Sequence, residues 1–236
     1  MKALAIFLDG PVAYDVMSEL QERLLAARIA GEIGDIVLFL EHLPVVTIGR
    51  RGDTAGLLKS PRALARGGVA LVHSTRGGNI TYHAPGQLIL YPILALSGAE
   101  ADIRGYTSAM EEVAIRTAAG FGVTAFRRGG MTGAWTDHGK LAAIGVRLKR
   151  WTTSHGMSFN VDVDLTGFEV IVPCGLKNER VTSLKSLLGK NCPGIGDVRD
   201  RIAREFSDVF GRRLEIRRVP GADFLRDPVA CWQVPG

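Results

Sequence analysis

Leu71-Val-His-Ser-Thr-Arg-Gly-Gly-Asn-Ile-Thr-Tyr-His-Ala-Pro-Gly-Gln-Leu-Ile-Leu-Tyr-Pro-Ile-Leu94 carries two apolar runs, residues 71–74 and 87–94, with a Gly- and Pro-rich connection between them. The runs read as strands, and the connection has no apolar 3.6-residue period that would make it a helix. Residues 36–40 and 45–48 are further apolar runs of strand length, separated by Pro44. Residues 141–148 and 157–163 read as a strand pair, the second alternating Phe159, Val161 and Val163 with Asn160, Asp162 and Asp164. Residues 214–219 make a last short strand. Three helices are expected. Residues 11–29 place Val12, Val16, Leu20 and Leu24 at i+4 spacing, with Met17 beside them and Pro11 in the first turn. Residues 102–119 place Tyr106, Met110, Val113 and Thr117 on one face and stop at Gly120. Residues 197–210 do the same with Val198, Ile202, Phe206, Val209 and Phe210, before Gly211. Strands outnumber helices and do not alternate with them, which predicts an α+β fold rather than a doubly wound parallel sheet.

The chain has 236 residues, 46% hydrophobic and 22% charged, with 29 Lys+Arg against 24 Asp+Glu. That suits one large domain, 1–236, and excludes a disordered or collagen-like chain. Gly and Pro around residues 191–196 mark the edge of a possible small C-terminal lobe, 191–236. Three scattered cysteines, Cys174, Cys192 and Cys231, make no disulfide scaffold and point to a reducing compartment or to one thiol kept for chemistry. The apolar run of residues 3–8 stops at Asp9, too short for an export signal. The uncharged stretch 79–99 is broken by polar residues and Pro, unlike a membrane span. A soluble cytoplasmic protein is expected, with no membrane partner.

Residues 127–150 hold Arg127, Arg128, Lys140, Arg147, Lys149 and Arg150 against one anion, Asp137, a local excess equal to the net charge of the whole chain, +5. Two readings stand: a solvated strand face, or a docking surface for an acidic partner. No aromatic ladder or binding motif accompanies these cations, so no nucleic acid is expected.

Four segments carry chemistry. Arg76-Gly-Gly-Asn-Ile-Thr-Tyr-His83 joins a cation, two adjacent glycines that permit close backbone approach, and an imidazole. It has neither the spacing of a Walker loop nor that of a dinucleotide fingerprint. Lys140 opens an apolar strand that includes Ala143-Ile-Gly145. His155-Gly-Met-Ser158 follows at a strand start. Ile171-Val-Pro-Cys-Gly175 places Cys174 at a bend that would expose its thiol. A thiol with a pKa near 8.5 is about 97% protonated at neutral pH, so a nucleophilic cysteine needs a neighbouring cation or base. Lys140, His83 and His155 are the candidates. Cys192 and Cys231 lack such company and read as structural. No Cys/His cluster has metal-ligand spacing.

In this order the segments resemble the lipoyl(octanoyl)transferase family. The resemblance also takes in Glu41-His-Leu-Pro-Val-Val-Thr-Ile-Gly-Arg50, Pro85-Gly-Gln87 and Val181-Thr-Ser183. Ala84 stands where a glycine is usual and Ser158 where an alanine is common, and both would alter an acyl pocket. The resemblance implies a biotin/lipoate protein ligase-like catalytic domain: a mixed, mainly antiparallel sheet flanked by helices, with a small subdomain. It implies an octanoyl-acyl carrier protein donor. The acceptors would be lipoyl domains of 2-oxoacid dehydrogenase E2 subunits and the glycine cleavage H protein, with no cofactor. Cys174 would be the nucleophile and Lys140 its activator. The acyl site would be lined by Arg76, Gly77, Gly78, Asn79, Ile80, Thr81, Tyr82 and His83. Ala143, Ile144 and Gly145 would complete it from one strand, and His155, Gly156, Met157 and Ser158 from another. Competing readings are an ATP-dependent lipoate or biotin ligase on the same fold, a cysteine hydrolase using Cys174 with a histidine, and a basic nucleic-acid binder.

Overall fold

Five consecutive apolar residues, Ile36 to Leu40, form a strand buried on both faces, and the main sheet is assembled around it. The structure is a computed structural model and describes residues 1–172 and 179–220. In chain order it runs β1 (Lys2–Val12), α1 (Tyr14–Ala30), β2 (Asp35–His42), β3 (Val45–Ile48), α2 (Pro61–Arg66), β4 (Ala70–His73), β5 (Ile80–His83) and β6 (Gln87–Ile93). It continues with α3 (Ile103–Ala119), β7 (Phe126–Arg128), β8 (Met131–Thr136), β9 (Gly139–Lys149) and β10 (Thr152–Asn160). Last come α4 (Leu184–Leu188), α5 (Ile195–Phe210) and β11 (Arg213–Pro220).

The main sheet has the order β11-β1-β2-β6-β10-β9-β8-β7. β1 is parallel to both its neighbours, and the other pairings are antiparallel. A second sheet, β4-β3-β5, forms the small subdomain beside it. One face of the main sheet packs Phe7, Phe39, Leu90 and Phe159 against Met110 and Val113 of α3 and Ile202 and Phe206 of α5. The other face packs Ile6, Leu38, Ile89 and Ile93 against Met17, Leu20 and Leu24 of α1. The small sheet buries Val46, Ile48, Ile80 and Tyr82 under Leu64 of α2, with Phe168 and Ile171.

The α+β class and mixed sheet match the expectation, and several boundaries do not. Pro11 belongs to β1, opposite Glu41, after a break in pairing beyond Phe7 where Gly10 takes φ 82°. The first helix therefore starts at Tyr14. With Val12 in the strand, the buried face centres on Met17, Leu20 and Leu24, and Val16 is 41% exposed. Residues 195–220 form no separate lobe among the described residues: α5 enters the core beside α3, and β11 pairs with β1 along its length. The small subdomain comes instead from residues 45–83.

Asp35, at the start of β2, ties the sheet to its C-terminal edge. Its carboxylate accepts from Arg28 Nε at 2.9 Å and from Arg212 Nε at 3.0 Å, and the Arg212 fork also grips Glu100. Arg212 is wholly buried. Removing one partner of such a pair strands a desolvated charge. We expect Asp35→Ala to lower the unfolding free energy by about 3 kcal/mol, measured by urea denaturation; a loss below about 0.5 kcal/mol would show that the network does not hold the edge.

Candidate functional site

The site begins with an irregularity in β9. Opposite β8, Ala134 faces Ala142 while Trp135 faces Lys140, so Leu141 is one residue too many. A strand alternates faces every residue, and without this bulge Lys140 would share the α3-facing side of Ala142. With it, Lys140 turns to the same side as Ala143 and Gly145. Its ammonium lies 4.8 Å from the centre of the Trp135 ring and the residue is only 9% exposed. Gly133 takes φ 133°, and a Cβ added there would collide with Ala142 O and come within 3.2 Å of Lys140 Cε.

A cleft runs along β9 and β10 from Lys140. Cross-strand pairing sets Ala143 opposite Ser158 and Gly145 opposite Gly156, so four small side chains form one wall. Ile144 and Met157 lie between them and border the cleft while packing into the α3-side core. The opposite wall comes from the Gly-rich loop and β5: Arg76, Gly78, Asn79, Ile80, Thr81 and His83. The loop approaches closely because Gly77 donates its N–H to Val146 O at 2.9 Å; a Cβ on Gly145 would meet Gly77 O at 2.8 Å. Two expected lining residues fall elsewhere. Gly77 is the bridge to β9, and Tyr82, alternating with Thr81 and His83, points into the small-sheet core against Phe168. Ala84 also packs in that core, away from the cleft, whereas Ser158 lines it.

Beneath the cleft lies a chain of hydrogen bonds. Arg76 donates from Nε (3.0 Å) and Nη2 (2.8 Å) to Thr47 Oγ1, leaving the Thr47 hydroxyl to face His83 Nε2 at 3.5 Å. His83 Nδ1 donates to Gln87 Oε1 at 2.6 Å, and Gln87 Nε2 donates to Asn160 Oδ1 at 2.8 Å. Asn160 Nδ2 donates to Thr182 O, and the Thr182 N–H donates to Lys140 O. The partners fix His83 as the Nδ1–H tautomer. His42 is fixed likewise, donating from Nδ1 to Val12 O and accepting the Tyr91 hydroxyl at Nε2. His155 meets Thr75 Oγ1 at 2.9 Å through Nε2, and its Nδ1 has no partner among the described residues. Its backbone takes φ 55°, unusual for a non-glycine, and its N–H donates to Gln21 Oε1 from α1.

Burial pushes all three imidazoles down: His42 to about 4, His83 and His155 to about 3. For His83 the neighbouring His42 adds to desolvation, and for His155 the charge of Arg76 does. Both are neutral at pH 7, so neither is the cation a thiolate needs, and as bases they are weak. That weighs against a hydrolase in which either imidazole activates the thiol as a cation. Lys140 is the remaining candidate. Composition and spacing did not single out Thr47, His42, Tyr14, Tyr91, Thr75 or Gln21. The available signal was strand parity, which puts Thr47 across from Thr81 and Tyr91 two residues from cleft-lining Ile89.

Cys174 lies outside the described residues, as does Cys231. The chain leaves the described part after Val172, whose N–H donates to Gly56 O, and returns at Glu179 and Arg180, where Arg180 O accepts the Lys140 N–H at 2.8 Å. Cys192 is half-buried against the main core, and burial pushes its thiol up, in keeping with a structural role. The basic segment is not one free surface. Arg127 pairs with Glu111 and Glu112, Arg128 with Glu179, and Arg147 with Glu22. Lys149 and Arg150 sit at the far end of β9, roughly 30 Å from Lys140 at 3.3 Å per residue.

Residues 13–207 match the model of the lipoyl protein ligase A/B catalytic domain. A curated octanoyltransferase of Chloroflexus aurantiacus is 44% identical over 213 residues, covering 89% of this chain and 95% of that protein. One from Caldicellulosiruptor bescii is 44% identical over 209 residues, covering 88% and 91%. Among solved structures, a bi-partite lipoate protein ligase from Thermoplasma acidophilum has a TM-score of 0.74 at 17% identity, covering 96% of this chain and 93% of that one. A lipoate-protein ligase A bound with ATP has a TM-score of 0.74 at 15% identity, covering 96% and 95%. These two establish a shared fold. The chain belongs to the lipoyl protein ligase A/B catalytic domain family and, within it, to the octanoyltransferases.

The histidines make stability depend on pH with a definite sign. In the unfolded chain each protonates near pH 6.5, whereas in the folded chain each stays neutral down to about 4 or 3. Between those values the unfolded state holds more protons, so stability falls as pH drops. Each histidine contributes up to about 1.4 kcal/mol per pH unit. We expect unfolding free energies measured from pH 7 to 4 to decline from about pH 6.5, with a shallower slope in His42→Asn. A flat profile would mean that these imidazoles are not held neutral.

Proposed function

We propose that this octanoyltransferase carries its acyl group on Cys174 and transfers it from octanoyl-acyl carrier protein to a lysine of a lipoyl domain, with Lys140 as the proton-handling partner. The observation that carries this reading is the trough of small side chains, Ala143, Gly145, Gly156 and Ser158, leading away from Lys140. An eight-carbon chain laid there would gain about 0.8 kcal/mol for each methylene removed from water. Ser158 adds a hydroxyl to that wall and bears on chain-length preference.

In the first half-reaction the Cys174 thiolate attacks the thioester carbonyl. A bond forms from its sulfur to the acyl carbon, the bond to the carrier sulfur breaks, and the carrier leaves as a thiol after taking up a proton. In the second, the neutral amine of the acceptor lysine attacks the octanoyl-cysteine, an amide forms, and the Cys174 sulfur leaves. Lys140 stabilises the thiolate, supplies the proton to the departing carrier and takes one from the incoming amine. Arg76, Asn79, Thr81, His83 and His155 orient the acyl group and its carbonyl along the cleft. The acceptors are lipoyl domains of 2-oxoacid dehydrogenases and the glycine cleavage H protein, and the reaction takes place in the cytoplasm. In keeping with that, no helix among the described residues is long and apolar enough to cross a membrane.

Intact-protein mass spectrometry after mixing with octanoyl-acyl carrier protein should show one added octanoyl group, absent in Cys174→Ala. Lys140→Ala should slow transfer by about 10² or more. An adduct that persists in Cys174→Ala, or product made from ATP and free octanoate instead, would overturn the covalent mechanism.

A further inference from the structure

Residues 50–66 hold five cations, Arg50, Arg51, Lys59, Arg62 and Arg66, and one anion, Asp53. All five are exposed, and none has a carboxylate within ion-pair distance among the described residues. In residues 127–150, by comparison, Arg127, Arg128 and Arg147 are paired, and the two exposed cations without an ion pair among the described residues, Lys149 and Arg150, lie at the far end of β9 from Lys140. Leu58, among these cations, is 58% exposed, the most open large apolar side chain described after Met1. The segment is anchored despite its exposure. Leu64 is buried under the small sheet, Asp53 and Ser60 cap the turns that follow them, and Leu58 N donates to Val170 O at 2.9 Å. Leu57 bridges Ile171, and Val172 N donates to Gly56 O at 2.8 Å. The charged surface is thus tied by backbone to residues 170–172, which precede Cys174 in the sequence.

We propose that residues 50–66 are the docking surface for the acidic carrier protein that donates the acyl group; the proposal rests on the transfer reaction above. An unpaired basic face with an exposed leucine complements an acidic helix with apolar residues on its rim. Its position selects the donor over the acceptor. α2 lies on the face of the small sheet that holds Val46, Ile48 and Tyr82, while Thr81 and His83 on the other face line the cleft. A sheet and the layer packed on it lie about 10 Å apart, so a partner seated on α2 needs a long flexible arm to reach the cleft. The donor's thioester rides on such an arm, whereas an acceptor lysine has only four methylenes and must sit at the cleft mouth.

The test is Lys59→Glu/Arg62→Glu/Arg66→Glu, with the matching triple Gln variant as a folding control, assayed with two donors: octanoyl-acyl carrier protein and octanoyl-pantetheine. We expect KM for the carrier to rise about tenfold or more in the Glu variant and less in the Gln variant. Rates with octanoyl-pantetheine and KM for the lipoyl domain should be unchanged, and the wild-type preference for the carrier should fade with salt. A carrier KM unchanged in the folded variant, or a rise confined to the lipoyl domain, overturns the assignment. Failure of wild-type enzyme to transfer from either donor would instead sink the underlying reaction.

Discussion

The site depends on one extra residue. A strand in register would bury Lys140 on the side of Ala142 and Ile144, in the core beneath α3, where an ammonium has no place. The bulge at Leu141 shifts the alternation by one and brings the lysine into the cleft over Trp135. The same bulge leaves the remainder of β9 in regular pairing with β10, so the small residues at 143, 145, 156 and 158 fall on one face. The position of Lys140 and the shape of the cleft therefore follow from a single register decision. On the neighbouring strand, a Cβ at Gly133 would crowd both Ala142 O and Lys140 Cε.

The buried polar groups divide the work. His42, His83 and His155, with Tyr14 and Tyr91, form a cluster of rings about 5 to 6 Å apart that stays neutral because charging it would mean desolvating a cation. The tautomers of His42 and His83 are fixed by the Val12 carbonyl and the Gln87 amide, so these two rings present oriented donors and acceptors. The chain from Arg76 through Thr47, His83, Gln87 and Asn160 to Thr182 links the Gly-rich loop at one end of the cleft to the Lys140 backbone at the other. Among the described residues that line the cleft, the cations are Arg76 and Lys140. The histidines thus supply position and hydrogen bonds, and the proposed mechanism leaves proton transfer at neutral pH to Lys140.

Much of this was legible in the sequence, for identifiable reasons. Glycine and proline punctuation placed β3, β6, α3 and α5 well, because Asp102, Gly120 and Gly211 cap or stop their helices as they would in isolation. The motif residues around the cleft were legible from their resemblance to a family with a fixed order of segments. What was hidden depends on partners far along the chain. Tyr82 looked like a site residue beside His83, yet strand alternation sends it to the opposite face. Val16 fitted a helical stripe that vanished once Pro11 and Val12 were claimed by β1. The basic run at 127–150 looked like a patch because its acidic partners, Glu22, Glu111, Glu112 and Glu179, lie on other elements. The unpaired cations at 50–66 passed unnoticed because only the folded chain shows which charges are left exposed.

The pairing of Lys140 with Cys174 is the claim on which the mechanism stands, and thiol alkylation as a function of pH tests it most directly. The rate of Cys174 modification by iodoacetamide, followed by peptide mass spectrometry, should reach half its maximum well below the value of about 8.5 for a free cysteine. In Lys140→Met the half-point should return toward that value. The same half-point in both proteins would show that the lysine does not set the state of the thiol.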